Sequence, residues 1–390
     1  MNFDTPIERR GTYSTKWDMM EPIYGVPADD GVSMWVADTD FQAPPNVLAR
    51  MQEITDHGIF AYTCNDQDYR KAIKWWMETR HNWQIETDWI FTTTGLVNAV
   101  ALTLDTFTQP GDGIVLFTPV YHAFARAIRN ANREVVECPL VNNNGRYEMD
   151  FDAYDAQMTG SERMVILCSP HNPGGRVWTQ EELQGVADFC RRHDLLLVSD
   201  EIHHDLVFPG YTHIPMANVD ADIQERLIML TAPSKTFNVA GLHTGNVIIP
   251  NRALWDRFAA RMTSLAISPN SVGQFVAQAC YSPEGAEWVD AQVAYLDGNR
   301  QLFDAAIQDI PGLRSMALES TFLAWVDFTD TGMERAEFTK RVERDARIAA
   351  NHGTTFGLGG ENFLRFNLGT QRANIEKACD RLRDAFADLQ

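Results

Sequence analysis

From about residue 50 to about residue 290, short apolar runs alternate with stretches whose apolar residues recur every three or four positions. The runs GIVLFTP (113–119), REVVECPL (133–140), RMVILCSP (163–170), LLLVSDEI (195–202), RLIMLTAP (226–233) and GNVIIP (245–250) predict buried strands. Between two of them, TQEELQGVADFCRRHD (179–194) predicts a helix. Thr179 is its N-cap, Glu182 stands at capping-box spacing, and Leu183, Val186, Ala187 and Cys190 share one face. Such alternation predicts an α/β fold: a large domain with a mostly parallel mixed sheet flanked by helices, whose ligands sit at the carboxyl ends of the strands.

The pattern changes at both ends. The first 45 residues are rich in Pro, Gly, Asp and Trp and weakly periodic, which reads as an arm (1–45) packing on the small domain and the substrate site. Beyond about 290 the periodicity predicts long helices at 290–309 and 334–351, a strand TFLAWVDF (321–328) and a closing helix after Arg372. The expected division is therefore a large domain over 46–289 and a smaller α+β domain over 290–390. A length of 390 residues also favours two domains over one core.

Composition removes several function classes. A formal charge of −20 disfavours nucleic acid and anionic membranes as partners. No apolar run approaches the ~20 residues of a membrane span, and the start lacks a signal-peptide pattern. Six scattered cysteines with no CxxC pair fit free thiols in a cytoplasmic protein rather than disulfides or zinc. Asp200, Glu201, His203 and His204 adjoin one another, but neighbouring side chains on a strand face opposite ways and no second cluster is spaced to join them, so no metal site is expected. The SKT around Lys235 lacks the glycines of a phosphate-binding P-loop, which excludes an NTPase of that kind.

The strand ends carry the chemistry. CSPHNPGG places Asn172 after one strand, VSDEIHHD places Asp200 at the end of another, and TAPSK places Lys235 at the end of a third. An amide, a carboxylate and an amine then converge on one sheet edge, a set suited to a ring cofactor with a basic nitrogen, an acidic oxygen and an aldehyde. In FTTTGLVNAVALTL (91–104), Gly95, Leu96 and Val97 open a helix with unpaired N–H groups suited to a phosphate. TPVY brings Tyr121 to a strand end, where it could stack on a ring.

With these motifs, and with MWVADTDF (34–41), PVYHAF (119–124), ILCSPHNPGGRVWTQEEL (166–183), VSDEIHHDLVF (198–208), HIP (213–215), TAPSKTFNVAGL (231–242) and FLRFNLG (363–369), the chain resembles the fold-type I pyridoxal-phosphate (PLP) enzymes. It is most similar to class I/II aminotransferase-like proteins of the cystathionine β-lyase/C–S lyase branch. The resemblance implies that Lys235 holds PLP as a Schiff base and acts as general acid/base once substrate displaces it. It implies that Asp200 pairs with the ring nitrogen, that Asn172 and His203 bind the phenolic oxygen and that Tyr121 stacks on the ring and meets substrate. Gly95, Leu96, Val97 and Ser234 would hold the phosphate, together with Tyr62 reaching from a neighbouring subunit of a homodimer. Arg365 would clamp the substrate α-carboxylate, with a backbone contact from Ala37. Two positions depart from the broad aminotransferase pattern: His243 stands where many relatives have an arginine on the phosphate, and Ala232 where a serine is common. No second arginine for a distal acidic group is identified.

The activity so implied is α,β-elimination from cystathionine, cysteine or cysteine S-conjugates, giving a thiol, pyruvate and ammonia. The alternatives are an aminotransferase using the same site and a PLP-containing binding or regulatory protein.

Overall fold

All six apolar runs form strands, and a seventh, IFTT, joins them in one sheet. The computed structural model describes residues 1–63 and 66–389; Cys64 lies outside the described residues. The strands in chain order are β1 (Val32–Met34), β2 (Ile90–Thr93), β3 (Gly113–Thr118), β4 (Glu134–Pro139), β5 (Val141–Asn143), β6 (Arg146–Glu148), β7 (Glu162–Cys168), β8 (Leu196–Asp200), β9 (Leu227–Thr231), β10 (Gly245–Ile248), β11 (Arg314–Ser315), β12 (Leu323–Asp327), β13 (Ile348–His352) and β14 (Phe363–Asn367). The large sheet runs β2-β10-β9-β8-β7-β3-β4. Only β10 is antiparallel to its neighbours, so the expected mostly parallel mixed sheet is what forms.

The inner strands β3, β7, β8 and β9 are apolar along most of their length because both faces are covered, whereas the edge strand β4 is partly open to solvent. Ile114, Leu116, Met164, Ile166, Val198 and Ile228 pack on one side of the sheet, while the alternate residues Val115, Phe117, Val165, Leu167, Leu197 and Met229 pack on the other. Burying each such side chain contributes roughly 1.5–3 kcal/mol, which fixes strand register firmly. The helix Gln180–Arg192 forms as its sequence predicts. Thr179 accepts from the Glu182 N–H at 3.2 Å, and the Glu182 carboxylate accepts from the Thr179 N–H at 2.8 Å.

A second sheet, β1-β13-β14-β12-β11, is antiparallel except for the β1–β13 pair. It takes in part of the N-terminal segment, since Val32–Met34 supplies the outer strand beside β13. The chain around it includes a helix Pro283–Gln308, which starts earlier than 290 because Ser282 caps it and Pro283 fits its first position. The single helix expected over 334–351 is not found. A helix Arg335–Lys340 continues as a π-type turn over Arg341–Asp345, and the chain then enters β13. Arg347, at φ +54°, breaks the helix, and the buried run Ile348–Ala350 is too short for periodicity alone to separate strand from helix. A second correction concerns Lys235. Its strand stops at Thr231, and the lysine stands in a short helical turn, Pro233–Thr236.

The segment from Trp35 to Phe41 crosses between the sheets without joining either, so its carbonyls need other partners. Side chains supply them. Trp35 O accepts from Asn351 and Arg365, Val36 O and Asp38 O from Asn367, Ala37 O from Lys235, Thr39 O and Phe41 O from Asn238, and Asp40 O from Gln371. The Asp40 side chain is buried, which alone would raise its pKa, but Lys16 at 2.9 Å, Trp17 and Arg9 outweigh burial and hold it below the usual value. Asn367→Ala would strip the donor from Val36 O and Asp38 O and the acceptor from the Gly369 N–H. Unfolding in urea should show a loss of roughly 2–4 kcal/mol; a change within about 0.5 kcal/mol, the range usual for surface substitutions, would show that this strap is not held by those bonds.

Candidate functional site

The order β3-β7-β8-β9 sets four parallel strands side by side, and the segments leaving them meet at their carboxyl ends. Tyr121 comes after β3, Asn172 after β7, Asp200 ends β8 and Lys235 comes after β9. Together with Ala37, Gly95, Leu96, Val97, His203 and Ser234, they line a cavity of about 280 Å³. Ten of the residues expected from sequence thus surround one space. Arg365 stands beside it on β14, donating from Nη1 to Asn172 Oδ1 at 2.9 Å and from Nη2 to Trp35 O at 2.8 Å. Tyr62 does not join them. It is fully exposed and lies along a separate hollow with Phe60 and Phe275.

Three charged groups in this cluster are held in unusual states. Lys235 reaches across to Ala37 O at 2.7 Å, and burial lowers its pKa to about 8; Arg365 lowers it too, while Asp38 and Asp200 oppose the shift. Asp200 is buried and accepts one hydrogen bond, from the Ile202 N–H at 3.1 Å. Burial pushes its pKa up to about 7, against the pull of that bond and of Lys235. Arg365 is buried over the Phe356 ring at 5.0 Å, its Nε has no partner among the described residues, and burial brings its pKa down to about 10. Removing charges from water is expensive when nothing opposite in sign neutralises them. A cavity flanked by a carboxylate and a guanidinium that have no partner of opposite charge in hydrogen-bonding range among the described residues suits a ligand bearing both signs of charge.

Neutral groups complete it. His203 is kept well below its usual pKa by burial and by the nearby Lys235 and Arg365, and its Nδ1 has no hydrogen-bond partner. Asn172 spends its Oδ1 on Arg365, leaving its Nδ2 without a partner among the described residues. Gly95 adopts φ +92° at the N-cap of the helix Leu96–Phe107, with open space where a Cβ would stand. The first amides of that helix therefore meet the cavity with no side chain covering them.

The profile of the class I and II aminotransferases matches residues 31–382. The chain belongs to this family. It is 35% identical to cystathionine β-lyase PatB of Bacillus subtilis (strain 168), over 99% of this chain and 100% of that protein. Cystalysin from Treponema denticola, whose crystal structure contains a pyridoxal 5′-phosphate cofactor, superposes with a TM-score of 0.95 at 36% identity, over 100% of this chain and 99% of that one. The PLP-bound C–S lyase from Staphylococcus hominis gives a TM-score of 0.91 at 28% identity, covering 99% and 98%.

In this aminotransferase-family chain the cavity wall also includes Thr94, Asn98, Phe124, Cys168, Ile202, Ala240 and His243. Asn98 could have been found: it is the one polar residue among the first seven of its helix, and it accepts from the Thr94 N–H at 3.3 Å. His243 is exposed, at φ +47°, on the cavity rim. Cys168 accepts from the Asn172 N–H at 3.4 Å, and burial holds its thiol protonated.

The raised pKa of Asp200 has a stability consequence. An acid whose folded pKa exceeds its unfolded value favours the fold below the unfolded pKa, and that advantage is lost as pH rises toward the folded pKa. In cofactor-free protein, Asp200→Asn should therefore raise the melting temperature at pH 8 and leave it nearly unchanged at pH 4, the difference opening between about 4 and about 7. Equal shifts at both pH values would show that the Asp200 carboxyl is not so perturbed.

Proposed function

We propose that this protein is a PLP-dependent carbon–sulfur β-lyase acting on L-cystathionine, cysteine or cysteine S-conjugates. The observation that carries the reading is the set of groups around one cavity: a Lys235 amine with a lowered pKa, a buried Asp200 carboxylate with no cation in hydrogen-bonding range, and a buried Arg365 with no acid in range among the described residues. Full-length similarity to PatB and cystalysin supports it.

The residues present fit PLP. The open Gly95 cradle and the amides of Leu96 and Val97 would hold the phosphate with Ser234, and Asp200 would face the ring nitrogen. Asn172 Nδ2 and His203 would take the phenolic oxygen, Tyr121 would stack, and Lys235 would carry the aldehyde carbon. When bound, PLP supplies a sink for the electron pair released at the substrate α-carbon.

The rest falls to the chain's own side chains. Arg365 holds the α-carboxylate by two parallel N–H donors, with the Ala37 amide beside it. Lys235 Nζ takes the α-proton. A pKa near 8 leaves a useful fraction of the amine neutral near neutral pH while keeping it basic enough to accept that proton. Loss of the β-thiolate, followed by hydrolysis, gives thiol, pyruvate and ammonia. Tyr62 sits outside its own cavity, so its part in phosphate binding requires a second copy. We infer a homodimer in which each subunit completes its neighbour's site. No helix among the described residues is long and apolar enough to cross a membrane, and a cytoplasmic location belongs to the same reading.

Purified protein given L-cystathionine without any keto acid should release thiol and pyruvate in equal amounts, and Lys235→Ala should lower kcat by at least about 10³-fold. Turnover that depends on added keto acid would overturn the lyase in favour of transamination, and no turnover by either route would favour a binding protein.

A further inference from the structure

Tyr121 belongs to two cavities. Beyond the one it shares with Lys235, it joins a second, of about 330 Å³, between the helix Ala123–Asn130 and the loop 354–361. Phe356 connects this cleft to the carboxylate clamp, since its ring lies 5.0 Å from the Arg365 guanidinium and 5.8 Å, edge-on, from the His122 ring. The cleft therefore begins where the α-carboxylate site ends.

Its charges are unevenly committed. Glu137 accepts from the Leu358 N–H at 3.0 Å, and Glu361 accepts from the Gly359 N–H at 3.1 Å, so both carboxylates hold the loop in place. Arg126 and Arg129 also line the cleft, yet neither guanidinium has a hydrogen bond or ion pair among the described residues. In a chain with 53 acidic and 33 basic residues, two adjacent free arginines facing one cleft are out of keeping with the surface. The buried Nδ1 of His122 has no partner either. Burial, with Arg365 and Arg126 nearby, lowers the pKa of that imidazole to about 4, so it meets a ligand as a neutral donor or acceptor.

We propose that this cleft is the leaving-group subsite and that it selects cysteine S-conjugates whose departing thiol carries a carboxylate, bound by Arg126 and Arg129 with His122 beside them. The sequence alone offers no second arginine for a distal acid; the fold supplies two. This rests on the lyase reading. Elimination of a small neutral thiol would need no such cations.

The test uses PLP-loaded protein without keto acid on S-(2-carboxyethyl)-L-cysteine and S-(2-carbamoylethyl)-L-cysteine, which are nearly the same size and differ in distal charge. The ratio of kcat/KM for carboxylate over amide should be at least about tenfold and should fall to near one in R126Q/R129Q. In R126E/R129E it should fall below one. Because the ratio is internal to each variant, general loss of folding or chemistry cancels. A wild-type ratio near one, or a ratio unchanged by either double substitution, overturns the subsite. Calorimetric binding of 3-mercaptopropionate separates the two readings. If neither conjugate gives pyruvate but this thiol binds and loses at least about tenfold in affinity in R126Q/R129Q, the lyase and the leaving-group role fail, while carboxylate binding by Arg126 and Arg129 stands. If both conjugates are cleaved equally well, the lyase stands and the subsite falls.

Discussion

Seven consecutive backbone carbonyls, from Trp35 to Phe41, are capped by side chains drawn from both halves of the molecule. Neither sheet offers this segment a ladder, and a buried carbonyl without a partner costs more than a typical bond returns. The donors cannot be moved independently. Asn367 and Arg365 lie on β14 and Asn351 on β13, whereas Lys235 and Asn238 come after β9. Satisfying the strap therefore fixes the second sheet against the first. The same constraint brings Arg365 within reach of Asn172 and holds the Lys235 amine over the cavity.

The site built on that frame is costly to keep. Asp200 and Arg365 are both buried, and among the described residues neither meets a group of opposite charge in hydrogen-bonding range. Other buried charges are either paired closely, as Lys16 is with Asp40 at 2.9 Å and Arg176 with Glu319 at 3.1 Å, or bonded to several neutral groups, as Arg133 and Glu162 are. The contrast separates a structural charge from one kept for a ligand. The two-sided apolar packing of the large sheet can carry that cost, since its inner strands are almost wholly buried.

The sequence made some of this legible and hid the rest for physical reasons. The helix Gln180–Arg192 could be read to within a residue or two because its cap, capping box and apolar face are all local. The meeting of Asn172, Asp200 and Lys235 could be read because parallel strands deliver their carboxyl ends, and the segments leaving them, to one edge. β13 could not, because a short buried run looks alike in helix and strand until its neighbours β1 and β14 are known. The strap was invisible because its donors lie far away in the chain. Arg126 and Arg129 look like ordinary arginines on an amphipathic helix; their setting depends on a loop more than two hundred residues later.

The placement of the chemical groups also separates what can vary from what cannot. Tyr121, Asn172, Asp200 and Lys235 descend from four adjacent strands, whose spacing of about 4.8 Å is set by backbone hydrogen bonds. The large sheet thus acts as a ruler for the points from which those groups depart. The loop 354–361 is under no such rule. It is pinned through Glu137 and Glu361 and sits at the surface, where insertions and exchanges are tolerated. Divergence among chains with this fold should therefore leave the ruler intact and accumulate in that loop and the facing helix, so that new substrates come from a changed rim on an unchanged gauge.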